Sequence, residues 1–170
     1  MNPAIRIAAI EALPDDYLTR GDFSFTIACY ALPQFDSPVD SWPTRPVAPF
    51  RKRYPLAPFA NEDSVTFLAY RQNDAVGHIT LSKNWNGYTL IDEIAVSAHA
   101  RRQGIAGALL DCAKRWARQQ ETSGMMLETQ NNNLAACRCY QHYGFILGGI
   151  DRLLYRAEPE IADHEIALFW

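Results

Sequence analysis

The 170-residue chain has no apolar run of the about twenty residues that a membrane-spanning helix needs. It has no excess of one charge. Sixteen Lys and Arg face nineteen Asp and Glu, interspersed, for a formal net charge of -3. That balance gives no reason to expect nucleic acid or an anionic membrane as partner. Residues 1–10 lack the basic start and apolar core of a secretory signal, so a cytoplasmic location is expected. Cysteine is scarce: Cys29, Cys112, Cys137 and Cys139 show neither zinc nor redox spacing, and free thiols are expected rather than disulfides. His78, His99 and His142 have no partner at metal-ligand spacing, so structural or exposed roles are expected, and no metal. No Ser-His-Asp or Cys-His arrangement stands out, which speaks against a covalent intermediate. Both common phosphate loops are missing: there is no Gly-Lys-Ser/Thr, and no third glycine at dinucleotide-fingerprint spacing.

What is present fits one globular domain spanning residues 1–170, with enough chain for a real core. Strands are expected at residues 4–10 and 24–32, and a helix start at Pro14-Asp15-Asp16. Seven of the ten prolines fall between Pro33 and Pro58, so a long ordered loop is expected there, carrying Phe35, Trp42, Phe50, Tyr54 and Phe59. Residues 64–70 and 75–82 form a hairpin through Gln72-Asn73-Asp74, and a strand at 88–96 completes a three-stranded meander. A helix over 104–121 has one apolar face of Ile105, Ala108, Leu109, Cys112, Ala113 and Trp116. A strand at 125–129 would return parallel to the third meander strand. A helix at 133–143 and strands at 151–156 and 165–170 complete a mixed sheet. The expected class is α+β.

The chain is organised around residues 91–108, IDEIAVSAHARRQGIAGA, which run from strand through a polar loop into a helix. A helix start has amide N–H groups without intrahelical partners, and the macrodipole adds partial positive charge. Small residues there admit a ligand to the backbone, and Arg101 and Arg102 add charge, which suits a pyrophosphate. A plain strand-to-helix turn is the alternative. Asp92 and Glu93 are adjacent on the strand and are expected on opposite faces. A carboxylate beside an alkyl ammonium can bind it and take its proton. Glu93 is preferred over Asp92 for that, with Glu128 as a third candidate for substrate contact. Trp85 and Tyr54 could stack on a cation.

The loop ARRQGIAGALL after IDEIAV, followed by Asn133-x-x-Ala136-x-x-x-Tyr140-x-x-x-Gly144-Phe145, resembles the GNAT superfamily of acetyl-CoA-dependent N-acetyltransferases over residues 65–155. The segments VAPFRKRY, NWN, LETQNNN and GFILGGIDRLLY are similar to streptothricin acetyltransferases, which acetylate an amine of the β-lysine chain of those antibiotics. The segment before the hairpin, Asn61-Glu62-Asp63, is less acidic than in those enzymes. The resemblance implies the GNAT fold, a mixed sheet of about seven mostly antiparallel strands with one parallel pair splayed at the cofactor, flanked by helices. It implies acetyl-CoA as co-substrate and a small amine acceptor, and it admits a homodimer, since GNAT enzymes are often dimers. Ile94, Ala95 and Val96 would offer backbone groups to the pantetheine arm. The N–H groups around Arg102, Gln103, Gly104, Ile105, Ala106 and Gly107 would hold the pyrophosphate, with Arg101 matching its charge. Asn133, Ala136 and Tyr140 share a helix face; Asn133 would bind the cofactor's amide portion and Tyr140 would protonate the leaving thiolate. A protein lysine or N-terminal acetyltransferase and a non-catalytic acetyl-CoA-binding module are the other readings.

Overall fold

A computed structural model describes residues 4–170. The chain forms two compact units. The first comprises residues up to Ser24 together with Arg53–Met126, and the second Phe25–Lys52 with Leu127–Trp170.

The first unit is built on five strands: β1 (Ile5–Ile10), β4 (Val65–Arg71), β5 (Asp74–Lys83), β6 (Thr89–Val96) and β7 (Met125–Met126), hydrogen-bonded in the order β1-β4-β5-β6-β7. All neighbours are antiparallel except β6 and β7, which run parallel. The expected hairpin closes with Arg71 opposite Asp74, and Gln72 takes the positive φ (57°) such a tight turn needs. β5 is buried on both faces from Gly77 to Ser82, as a strand with cover on each side must be. On one side lies α2 (Ile105–Gln119), whose Ile105, Leu109, Leu110, Ala113 and Ala117 are buried. On the other lies α1 (Tyr17–Arg20), whose Tyr17, with Phe23 just beyond the helix, packs on Leu68 with Leu56 and Ala95. The helix expected at Pro14 begins only at Tyr17. Pro14 instead accepts the Tyr17 N–H through its carbonyl, and Asp16 at φ 63° turns the chain into the helix.

Gly77 marks the closest approach in this unit. A Cβ there would stand 2.8 Å from the Ala95 carbonyl oxygen and 3.4 Å from Ile105. Backbone cannot yield as a side-chain tip does. Gly77→Ala is therefore expected to cost roughly 1–3 kcal/mol. Thermal unfolding should show a Tm several degrees lower, and a Tm equal to the parent's would contradict the contact.

The second unit contains an antiparallel ribbon of β2 (Phe25–Ala31) and β3 (Thr44–Lys52), a three-stranded ladder, and α3 (Leu134–Tyr143). The proline-rich stretch is thus not one irregular loop: its middle is a nine-residue strand. Prolines enter because the ribbon is all edge and its register slips opposite Ala28, where Pro49 lies. The strand expected at 125–129 is broken at Leu127. Its first half is β7; its second, β8 (Glu128–Gln130), pairs with β10 (Ala167–Phe169), which also pairs with β9 (Gly149–Asp151). The strand expected at 151–156 is found instead at 149–151, followed by bends and turns as far as residue 164, and the last strand is confined to 167–169 of the expected 165–170. The class is α+β, mixed and mostly antiparallel as expected, with the strands spread over ladders of five, three and two. Among the described residues no helix is long and apolar enough to cross a membrane.

Candidate active site

In the first unit everything converges on β6. Its parallel pairing with β7 consists of Thr89 with Met125 and Leu90 with Met126. Among the described residues that pairing goes no further than Leu90, which leaves Ile91 to Val96 beyond the β6–β7 ladder, a stretch that includes the predicted backbone contacts Ile94, Ala95 and Val96. The Arg101 Nε donates to the Val96 carbonyl at 3.0 Å, so this side chain closes the strand end as well as adding charge to the loop.

The loop then prepares a helix start. One 3-10 turn (Ala98–Ala100) is followed by Arg102 at φ 58° and Gly104 at φ 83°. The first intrahelical bond runs from the Ala108 N–H to the Gly104 carbonyl, so the amides of Ile105, Ala106 and Gly107 precede the ladder. A Cβ at Gly104 or Gly107 would meet nothing within 4 Å, so the backbone is uncovered at both positions. Arg102 is exposed, while Gln103 is tied down: it accepts from Arg71 and donates to the His99 carbonyl at 2.9 Å. An open, dipole-charged amide turn of this kind fits a diphosphate.

Asp92 and Glu93 do not point to opposite faces. Leu81 pairs with Ile91 but Thr80 pairs with Glu93, so Asp92 is one extra residue in β6, a β-bulge. Counting by twos from Leu90, opposite Ser82, puts Asp92 on the Ser82 face. Pairing with Thr80 puts Glu93 on that same face, away from α2. Asp92 is exposed and hydrogen-bonds Ser82; burial of its immediate surroundings lifts its carboxyl above the ordinary range, with the Ser82 bond opposing. Glu93 is held at both oxygens. Oε1 meets His78 Nε2 at 2.5 Å, and Oε2 accepts the Ala57 N–H at 3.0 Å.

The segment that supplies Ala57 is fastened to this face. Its Pro58 carbonyl accepts from Thr66 and Thr80 at 2.8 and 3.2 Å. Tyr54, three residues before Ala57, is half-buried in the same segment. Trp85 is 94% exposed at the β5–β6 turn. That turn is at the opposite end of β6 from the amide loop, about 23 Å away by strand rise over eight residues. His78, for which a structural or exposed role is expected, is fully buried and bonded to Glu93 and Tyr17. A lone imidazole within the apolar run Ala75–Leu81 must find polar partners, and that requirement was the available signal.

In the second unit, Asn133 caps α3: its Oδ1 accepts the Ala136 N–H at 3.1 Å. The predicted pair Asn133–Ala136 is thereby joined, and the Asn133 amide N–H groups remain for other acceptors. Tyr140 is buried (8% exposed), with its ring edge-on to Phe145 at 5.9 Å and tilted on Trp170 at 6.4 Å. Among the described residues its hydroxyl has no hydrogen-bond partner. Burial pushes its pKa well above the ordinary tyrosine value. Burial also holds Cys137 at about 12 and raises Cys139, so both remain thiols near neutral pH and neither is an activated nucleophile. Glu128, the third candidate carboxylate, accepts from the Tyr155 hydroxyl, which in turn accepts from Gln130 Nε2 at 2.9 Å.

The sequence profile of the acetyltransferase (GNAT) family matches residues 27–145. Over 127 residues the chain is 40% identical to the streptothricin acetyltransferase of Escherichia coli, covering 75% of this chain and 72% of that one. It is 43% identical over 109 residues to streptothricin acetyltransferase A of Bacillus subtilis (strain 168), covering 64% and 62% respectively. The crystal structure of a candidate streptothricin acetyltransferase from Bacillus anthracis str. Ames, in complex with acetyl coenzyme A, superposes with a TM-score of 0.83 at 31% identity over 98% of both chains.

Proposed function

This chain belongs to the acetyltransferase (GNAT) family, and from that premise we propose that it moves an acetyl group from acetyl-CoA directly to a primary amine of streptothricin, on its β-lysine chain. One observation carries the reading. β6 bears two carboxylates on one face through its bulge and feeds the uncovered amide turn of α2 at its end. Bound acetyl-CoA supplies an acyl thioester already activated toward amines. The groups that would hold it are the amides from Arg102 to Gly107, the backbone of Ile94–Val96 beyond the β6–β7 ladder, and Asn133. Glu93, oriented at both oxygens, takes the proton that an alkyl ammonium must lose before its nitrogen can attack. Asp92 adds a second negative charge that draws the cation in. Tyr140 donates to the departing thiolate. Tyr54, Glu128 and Trp85 are assigned to the acceptor. The protonated thiols of Cys137 and Cys139 support attack without an acyl-cysteine intermediate.

The same reading takes residues 1–170 as one functional domain of a cytoplasmic enzyme, and it admits a homodimer without requiring one. Four free cysteines support a reducing compartment. Thiol release from acetyl-CoA tests the proposal, measured with streptothricin beside aminoglycosides, polyamines and lysine peptides. Streptothricin is expected to give the highest kcat/KM. Release with a lysine peptide but not with streptothricin would replace the acceptor with a protein; release with none, despite coenzyme binding, would leave a binding module.

Asp92 adds a dependence on pH. Because its carboxyl is raised, it is ionised only above that raised value, and its pull on the ammonium fades as pH falls through it. KM for the amine is expected to rise on acidification in the parent enzyme. In Asp92→Asn it should already be higher, by up to roughly fivefold for an exposed ion pair, and flat over the same window. Amine KM measured against pH checks this.

A further inference from the structure

We propose that His78 and Tyr17 are positioning residues that hold Glu93 in one orientation. The inference rests on Glu93 being the group that meets the amine. His78 is fully buried on β5 and lies on the Glu93 face, two residues from Thr80. Its Nε2 is 2.5 Å from Glu93 Oε1 and its Nδ1 2.9 Å from the Tyr17 hydroxyl. Burial, and next the charge of Glu93, keep Tyr17 protonated. Among the described residues that hydroxyl has no other acceptor, so it donates to Nδ1. Nδ1 is then a lone-pair nitrogen, and the ring hydrogen sits on Nε2, facing the carboxylate. Tyr17 and Phe23 stand edge-on to the imidazole at 5.6 and 6.0 Å and fix its plane. The orientation of α1 is thus passed through one tautomer of His78 to Glu93, while Ala57 holds the second oxygen. A glutamate with free rotamers would spend little time in the geometry that proton abstraction needs.

The test uses the full chain with streptothricin and acetyl-CoA. His78→Leu removes the donor and is expected to lower kcat/KM for streptothricin by on the order of ten- to a hundredfold, with KM for acetyl-CoA unchanged. His78→Gln can present an amide N–H where Nε2 stood, and should restore most of that loss. In 15N-labelled protein without substrate, His78 should show a single Nε2–H tautomer, and Tyr17→Phe should convert it to a mixture. Equal losses in the Leu and Gln variants, a parallel rise in acetyl-CoA KM, or a tautomer indifferent to Tyr17→Phe would each overturn the inference. If His78→Leu does not fold, Gln and Tyr17→Phe still decide. A parent protein that leaves streptothricin untouched defeats the acceptor assignment instead, and the nitrogen spectra remain readable in that case.

Discussion

Glu93→Gln is expected to lower kcat for amine acetylation by on the order of 10²–10⁴, the range that positioned acid–base groups contribute. KM for acetyl-CoA should stay put, since the amide turn at Gly104–Gly107 is untouched. Two effects add. The amide has no basicity, so the ammonium keeps its proton and its nitrogen keeps no lone pair. The orientation is lost as well. Glu93 accepts from both His78 Nε2 and the Ala57 N–H, whereas an amide has only one accepting atom, so one donor faces an NH2 group. Steady-state kinetics with each substrate varied in turn separates these effects from a loss of cofactor binding. A kcat within a few-fold of the parent would transfer the proton-accepting role to Asp92.

Tyr140→Phe is the second large effect, expected to reduce kcat by about a hundredfold or more if the phenol is the proton donor to the thiolate. The substitution is unusually clean. The ring keeps its contacts with Phe145 and Trp170. The hydroxyl has no partner among the described residues that its removal would strand, so the Tm should barely move. Because burial raises the phenol pKa, Tyr140 is protonated at every practical assay pH. As the proposed donor it would stay loaded, and no basic limb of the rate profile should trace to it. Turnover equal to the parent's, with normal folding, would remove the role.

The elements that a one-dimensional pattern specifies were legible in the sequence. The β4–β5 hairpin announces itself through Gln72-Asn73-Asp74 between β-branched runs, and α2 through its apolar stripe. The helix expected at 133–143 is found one residue later, with Asn133 as its cap and not its first residue. Features that depend on a partner strand were not legible. Whether Asp92 and Glu93 share a face is decided by which residue of β5 each one meets, and alternation alone answers that wrongly. The break at Leu127 depends on β10, some forty residues away, capturing β8. Thr44–Lys52 looked too rich in proline for a strand because the period-two pattern says nothing about which N–H groups must be paired. His78 was invisible as a partner for Glu93 because the two are fifteen residues apart. Only the cross-strand ladder brings them together.

The bulge in β6 also bears on how such a chain can change. Removing Asp92 would leave Ile91 opposite Leu81 and Glu93 opposite Thr80, a regular ladder with every other side chain on the face it already occupies. On the proposed reading, a one-residue deletion would therefore remove one of the three carboxylates assigned to the acceptor without disturbing the fold. Acceptors of lower positive charge lie one such step away, a shorter route than any that rebuilds the binding surface by substitution.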